Sequence, residues 1–178
     1  MKRAIVFGSS GFVGSHLLSG LLDSSAYEQV TVVVRKSLKL SHPKLRTMIG
    51  DYNSLAGLQS EITADEVFLA LGTTRANSPG ETEYYQVDHD YPVLAARIGK
   101  ERGAKSVFLV TAVGANPDSK FFYLRTKGET ERDVIALNFE HTYIFRPSVI
   151  LGKRKEKRSL GETPLVKIWS VLNPFLAW

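Results

Sequence analysis

The chain has 178 residues, of which 43% are hydrophobic and none is cysteine, and its formal net charge at pH 7 is +5. This length and composition predict one globular domain, and the lack of cysteine excludes disulfides, thiolate metal sites and a cysteine nucleophile. Because the run from Lys153 to Arg158 supplies four of the five net positive charges, the rest of the chain is nearly neutral, and we expect no nucleic-acid partner.

The sequence gives no sign of a targeting segment, a membrane span or a metal site. The basic start, Met1-Lys2-Arg3, precedes an apolar run that is interrupted at Gly8, and no long apolar segment occurs elsewhere. The four histidines are scattered singly, without the pairing that metal ligands show. We therefore expect a cytoplasmic protein with no metal.

The first motif is a glycine-rich turn after a short apolar run. Residues 4–7 are too few for a helix and suit a strand that is buried on both faces of a parallel sheet. Gly8, Gly11 and Gly14 then allow a sharp turn whose N–H groups lie close to a ligand, and leucines at helical spacing follow. Because a helix N-terminus favours an anion, the turn predicts a phosphate cradle, with a purely structural turn as the alternative.

The second strand, residues 29–34, ends at two bases, Arg35 and Lys36. They stand about 20 residues after the glycines, where a dinucleotide-binding unit places the residue that meets the adenosine ribose. An acid there would bind a free 2′-hydroxyl, whereas two cations suit the 2′-phosphate of NADP(H). We therefore predict NADP(H) as the cofactor, with two surface bases in a loop as the alternative.

Four further strands are predicted at residues 45–51, 65–72, 105–111 and 142–147. Asp51, at the end of the third strand, could accept a hydrogen bond from the adenine amino group or cap the following helix. Because Pro92 fits only the first turn of a helix, a helix is expected to begin between residues 88 and 91 and to run to 102. Strands that alternate with helices predict an α/β fold with a doubly wound parallel sheet, the Rossmann fold, over residues 1–178.

A second motif lies between the fifth and sixth strands. Tyr123 and Lys127 are four residues apart at the start of a predicted helix, so they share one face of it. A nearby ammonium stabilises a phenolate, and such a pair supports proton transfer to and from a carbonyl oxygen. In that role Tyr123 would be the general acid and Lys127 would orient the nicotinamide ribose. The alternative is an aromatic side chain that packs beside a solvated lysine.

These motifs, together with Arg146-Pro147 after the sixth strand, resemble the atypical or extended short-chain dehydrogenases/reductases. Three segments more narrowly resemble the Tat-interacting-protein family of atypical members: residues 71–75, 87–91 and 121–129. The resemblance covers essentially the whole chain. It implies an NADP(H)-binding Rossmann domain that includes Gly14 in its glycine turn.

The resemblance also implies positions around the cofactor. It places Gly8, Ser10, Gly11, Phe12 and Val13 at the pyrophosphate and Arg35 at the 2′-phosphate. It places Asp51 and Tyr52 near the adenine, Leu71 and Gly72 against the nucleotide, and Pro147 near the carboxamide. Many relatives carry a catalytic hydroxyl where this chain has Ala112. Either the neighbouring Thr111 serves instead, or Tyr123 alone polarises the substrate carbonyl. Asp88 stands where many relatives have Asn.

The C-terminal segment, residues 148–178, is predicted to be a short substrate-side segment. Relatives usually continue past it, so either the chain is truncated or the apolar residues 165–178 pack on a protein partner or a second copy; a core helix is the plainer reading. We expect an oxidoreductase that moves hydride to or from a small carbonyl or alcohol substrate. The alternative is an NADPH-sensing regulatory protein with little turnover, and a sugar-nucleotide epimerase or dehydratase is a weaker third.

Overall fold

The apolar runs of the sequence form one six-stranded sheet in the computed structural model, which describes residues 1–74, 77–148 and 150. The strands are β1 Lys2–Phe7, β2 Tyr27–Val34, β3 Leu45–Ile49, β4 Glu66–Leu69, β5 Ser106–Val110 and β6 His141–Phe145. Their order is β3-β2-β1-β4-β5-β6 and all pairs are parallel. The predicted doubly wound α/β fold is confirmed, and the strand order reverses between β1 and β4, where open parallel sheets bind their ligands.

Helices cover both faces of the sheet. They are α1 Phe12–Asp23, a 3-10 segment Leu55–Glu61, α2 Glu81–Tyr85, a π-helical turn Gln86–Asp90, α3 Tyr91–Glu101 and α4 Phe122–Ala136. Ala4 and Val6 of β1 pack in a core with the leucines of α1, whereas Ile5 and Phe7 point into the opposite core with residues of α3 and α4. All four are at most 1% exposed, as expected of a strand that is buried on both faces.

Helical backbone around Pro92 extends further than the sequence predicts. α3 begins at Tyr91, within the predicted start between residues 88 and 91, but helical backbone already starts at Glu81 and continues through the π-helical turn into α3. Pro92 has no N–H to give to the carbonyl of Asp88. The Thr130 hydroxyl lies 2.9 Å from that carbonyl and 2.8 Å from the Thr126 carbonyl, so its single hydrogen is shared between the two acceptors. The wider π-helical turn and this substitute donor explain how a proline is tolerated inside the helix.

The chain divides into two compact units, residues 1–146 and 147–178. Of the second unit the structure describes only Pro147, Ser148 and Ile150. The basic run from Lys153 to Arg158 and the apolar segment 165–178 lie outside the described residues. Their proposed roles therefore stay predictions.

Close packing of α4 against a loop depends on Gly128. A Cβ atom at this position would press into the backbone of Asn116 and Pro117, which cannot rotate away as a side chain could. We expect Gly128→Ala to lower the free energy of unfolding by about 1–3 kcal/mol in urea denaturation. Gly20→Ala is the matched control, since it is also helical but has open space around it, and it should stabilise the protein by up to about 1 kcal/mol. An equal response of the two variants would contradict the packing explanation.

Candidate functional site

The glycine turn lies where β1 ends and α1 begins. Gly8 has a φ of 86°, a conformation that favours glycine, and a Cβ atom there would lie 2.8 Å from the backbone nitrogen of Leu71. A Cβ atom on Gly14 would collide with the carbonyl of Gly8. The Gly11 N–H donates to that same carbonyl at 3.0 Å. The three glycines therefore bring the start of α1 close to both β1 and the segment after β4.

The first turn of α1 can receive an anion. Its N-cap residue, Gly11, provides no side-chain hydrogen bond, and the turn contains no acidic residue. Ser9 is buried, and its hydroxyl has no hydrogen-bond partner among the described residues, whereas Ser10 is exposed. Three features fit a pyrophosphate group here: the open N-terminus of α1, the buried Ser9 hydroxyl, and the glycine turn, which has no room for a Cβ atom at Gly8 or Gly14. Sequence reasoning assigned Ser10 and missed Ser9, because the burial of adjacent serines in a turn is not visible in the sequence.

The ends of β2 and β3 bring the next predicted residues together. Val34 pairs with Ile49, and the Gly50 N–H donates to the Val34 carbonyl at 3.0 Å, so the residues that follow each strand leave the sheet side by side. Arg35 and Lys36 are exposed there. Two cations at the carboxyl edge of the sheet can bind a phosphate without first breaking a buried ion pair.

Asp51 closes a turn just before the 3-10 segment, whose N-cap residue is Ser54, so it is not the helix cap that was one of its two predicted roles. Its Oδ1 accepts hydrogen bonds from the Ser54 N–H at 3.0 Å and the Ser54 hydroxyl at 2.9 Å. These bonds hold the pKa of the Asp51 carboxyl below its usual value. The following residue, Tyr52, packs edge-on against Tyr91. The adenine role of Asp51 and Tyr52 stays a prediction.

A buried ion pair lies at the carboxyl end of β4. Lys127 Nζ is 2.6 Å from Asp88 Oδ1, with 7% of the lysine side chain and 1% of the aspartate side chain exposed. The second carboxylate oxygen, Asp88 Oδ2, accepts the Thr73 N–H at 2.7 Å. A Cβ atom at Gly72 would lie 3.7 Å from Asp88 Oδ1 and 3.8 Å from Lys127 Nζ, so the pair stands directly beside Gly72. Gly8, Leu71, Gly72 and Lys127 are thus brought together around the point where the strand order reverses.

Tyr123 lies in the first turn of α4, one turn before Lys127, and 45% of the residue is exposed. Residues four apart on a helix share a face, so a partly exposed tyrosine stands one helical turn from a buried lysine. Exposed Phe121 precedes Tyr123. A substrate could therefore reach Tyr123 while Lys127 stays screened from water.

The hydroxyl of Thr111 belongs to a hydrogen-bond network with Glu131 and Arg146. It follows β5 and its hydroxyl donates to Glu131 Oε1 on α4 at 2.6 Å. Arg146, which follows β6, donates to the same carboxylate through Nε at 3.0 Å and a terminal nitrogen at 2.5 Å. Ala112 beside it has no polar side chain. To polarise a substrate carbonyl, Thr111 would have to turn its donor away from Glu131, and its catalytic role stays a prediction.

His89 fastens the π-helical turn to α4. Its two ring nitrogens lie 2.8 Å from Asp90 Oδ1 and 2.9 Å from Asp133 Oδ2, and its ring stacks on Tyr85. A hydrogen bond from Arg132 and a smaller effect of the hydrogen bond with His89 hold the pKa of the Asp133 carboxyl below its usual value. This contact fixes the turn that carries Asp88. The contact of His89 with Asp133 was not predicted from the sequence, although Asp88-His89-Asp90 before Pro92 is an unusually polar run for a helix that packs on a core.

Among residues 1–74, 77–148 and 150, no group of three or more histidine, aspartate or glutamate side chains could hold a metal ion. None of the described helices has both the length and the apolar character needed to span a bilayer.

Comparisons with known proteins point to nicotinamide nucleotides. A family model described as NAD(P)H-binding matches residues 8–165. "Protein FMP52, mitochondrial" of Candida glabrata is 40% identical over 168 residues, which cover 94% of this chain and 72% of that protein. The protein of the same name from Saccharomyces cerevisiae is 35% identical over 162 residues, which cover 89% of this chain and 70% of that one.

Solved structures agree on the fold. The enzyme WbmH of Bordetella bronchiseptica, in complex with NAD⁺, superposes with a TM-score of 0.73 at 15% identity. The match covers 97% of this chain and only 64% of WbmH, so this chain spans less than two thirds of that enzyme. At this identity the likeness shows the fold alone.

The expected cytoplasmic location is wrong. Both fungal relatives carry the word mitochondrial in their names. The expectation rested on the absence of a recognisable apolar targeting segment. A mitochondrial targeting signal is amphipathic and does not need a long apolar run, so this absence does not indicate a cytoplasmic location.

Proposed function

We propose that this chain is an NADP(H)-dependent oxidoreductase, and the premise is its family: the chain belongs to the NAD(P)H-binding family and is a relative of the fungal FMP52 proteins. The observation that carries the proposal is the buried Lys127–Asp88 pair beside Gly72, one helical turn from the exposed phenol of Tyr123. By analogy with these relatives, we infer a mitochondrial location. The narrower resemblance to the Tat-interacting-protein family stays a prediction.

The residues around the crevice have distinct roles in this proposal. A nicotinamide cofactor, when bound, supplies or accepts the hydride. The glycine turn with Ser9, Ser10, Phe12 and Val13 holds the pyrophosphate through N–H and hydroxyl donors. Lys127 has three N–H donors, and Asp88 Oδ1 takes one of them, which leaves two for the hydroxyls of a ribose. Asp88 is a positioning residue, because it fixes the lysine and touches neither substrate nor cofactor.

Tyr123 is the general acid in the reduction of a small carbonyl compound. As hydride reaches the carbonyl carbon, the π electron pair moves to oxygen, and the Tyr123 hydroxyl gives that oxygen its proton to form the alcohol. The positive charge of Lys127 stabilises the phenolate that remains. Thr111 assists only if its hydroxyl leaves Glu131; otherwise Tyr123 acts alone on the carbonyl oxygen.

The first test is nucleotide binding followed by turnover. Isothermal titration of the intact chain with NADPH and NADH should give binding, and a screen of small aldehydes and ketones should give NADPH oxidation. Failure of both nucleotides to bind would overturn the proposal. Binding without turnover of any carbonyl compound would support the second candidate instead.

Cofactor choice is tested at Arg35. We expect Arg35→Ser to weaken NADPH binding by about 10- to 100-fold, because a charge-assisted bond to the 2′-phosphate is worth about 1.5–3 kcal/mol, and to leave NADH binding nearly unchanged. Lys39→Ala removes another exposed charge from the same loop and serves as the control, with an effect expected below about 2-fold because the charge is screened by salt. A wild-type chain that binds NADH as tightly as NADPH would argue against the NADP(H) assignment.

The second candidate function is a nucleotide-sensing regulator with little turnover. The observation that favours it is that the Thr111 hydroxyl donates its hydrogen bond to Glu131, and that the neighbouring residue, Ala112, has no hydroxyl that could polarise a substrate carbonyl instead. In that case nucleotide binds while carbonyl reduction stays at background. Retention of a partner protein that depends on NADPH and on the residues from Lys153 to Arg158 would support it.

A further inference from the structure

Tyr91 lies at the adenosine side of the crevice, although no sequence pattern assigns it a function there. It is the first residue of α3, and its ring packs edge-on against Phe7, with centroids 6.1 Å apart, and against Tyr52, with centroids 6.0 Å apart. Phe7 ends β1 just before the glycine turn, and Tyr52 follows β3 beside Asp51. Tyr91 therefore stands between the carboxyl ends of β1 and β3, on the same side as Arg35.

The ring of Tyr91 belongs to the apolar core, and its hydroxyl is within electrostatic range of two charged residues, Asp51 and Arg35. Burial raises its pKa to about 12, Asp51 adds to the rise and Arg35 opposes it. The phenol therefore stays protonated at neutral pH and keeps a donor. None of the described residues forms a hydrogen bond with this hydroxyl. Only 9% of the residue is exposed, so its ring is held in place by packing.

We propose that Tyr91 is a further nucleotide-binding residue whose hydroxyl donates a hydrogen bond to the adenosine half of the dinucleotide. This inference rests on the proposed function. Packing alone would be served equally well by phenylalanine, since both aromatic contacts are made by the ring. The hydroxyl adds one donor within electrostatic range of Arg35, which is predicted to bind the 2′-phosphate, and of Asp51, which is predicted to lie near the adenine. A donor fixed by a buried ring loses little entropy on binding.

The test is Tyr91→Phe, with 2′,5′-ADP as a probe that contains the adenosine half and no nicotinamide. Isothermal titration should show affinity for 2′,5′-ADP lowered by about 3- to 10-fold, the value expected for one hydrogen bond. The variant keeps the ring, so its unfolding transition without nucleotide should stay close to that of the wild type, and the upward shift that 2′,5′-ADP causes should become smaller.

Tyr143→Phe is the matched control, because Tyr143 is an exposed tyrosine on β6, away from the ends of β1 and β3. Unchanged affinity in Tyr91→Phe, or an equal loss in Tyr143→Phe, would overturn the inference. Failure of the proposed function and failure of the Tyr91 inference give different results. A wild-type chain that binds neither NADPH nor 2′,5′-ADP contradicts the proposed function. If the wild type binds and Tyr91→Phe leaves the affinity unchanged, only the role of Tyr91 is contradicted.

Discussion

Tyr123→Phe is expected to lower kcat for carbonyl reduction by about 10²- to 10⁴-fold, the range that positioned general acids contribute. The substitution removes the only proton donor on that side chain and keeps its ring. NADPH affinity should stay within about 2-fold, because in the proposed function the phenol acts on the substrate oxygen and Lys127, which the substitution leaves in place, binds the ribose. Steady-state NADPH oxidation, with binding measured separately by titration, distinguishes the two effects.

The control for this variant is again Tyr143→Phe, since Tyr143 is 46% exposed and Tyr123 is 45% exposed. Loss of a hydroxyl from an equally exposed tyrosine should leave kcat unchanged. Because nearly half of Tyr123 faces solvent, the substitution should also cost little stability, so a lower kcat cannot be traced to unfolding. Full activity in Tyr123→Phe would remove this residue from the chemistry.

Asp88→Ala is expected to produce the largest loss of stability, about 3–5 kcal/mol in the free energy of unfolding. It leaves the ammonium of Lys127 buried without its carboxylate and takes the acceptor from the Thr73 N–H. Urea denaturation measures the effect. Asp88→Asn keeps one acceptor oxygen, which can serve the Lys127 ammonium or the Thr73 N–H but not both in the wild-type geometry, and should lose less stability than Asp88→Ala.

Two further variants decide whether the buried pair is the cause. Glu140→Ala breaks the exposed ion pair with Lys105, where more than half of each side chain is accessible, and should change stability little. The double variant Asp88→Ala with Lys127→Met removes both charges and should recover much of the loss, because no uncompensated buried charge remains. If Asp88→Ala costs no more than Glu140→Ala, the ion pair is not a main source of stability.

The fold and part of the site could be predicted from short-range patterns. Short apolar and β-branched runs predicted all six strands to within a few residues, and the glycine turn could be placed because strand, glycines and helix follow one another directly. Arg35 could be singled out because its position is counted from those glycines. These features depend on neighbours in the sequence, so local chemistry is enough to find them.

The missed features depend on residues far apart in the sequence. At the π-helical turn before Pro92, the hydroxyl of Thr130, 42 positions from Asp88, lies within hydrogen-bond distance of the Asp88 carbonyl, to which proline cannot donate. Thr111 looked available for catalysis until Glu131, 20 positions away, was seen to accept its hydroxyl. Ser9 and Ser10 are chemically identical, and only the direction of the turn makes one buried and the other exposed. Tertiary contacts of this kind leave no periodic signal in the sequence.

The contact between Asp88 and Thr73 has a consequence for how the crevice tolerates sequence change. Asp88 binds the main-chain N–H of residue 73, and this donor is the same whatever side chain the position carries. The side chain at position 73 can therefore vary without loss of this main-chain hydrogen bond to Asp88, which in turn holds Lys127. Proline is the exception at position 73, because it alone lacks the N–H. If the proposed function holds, side-chain changes at position 73 should alter substrate preference while Lys127 keeps its place.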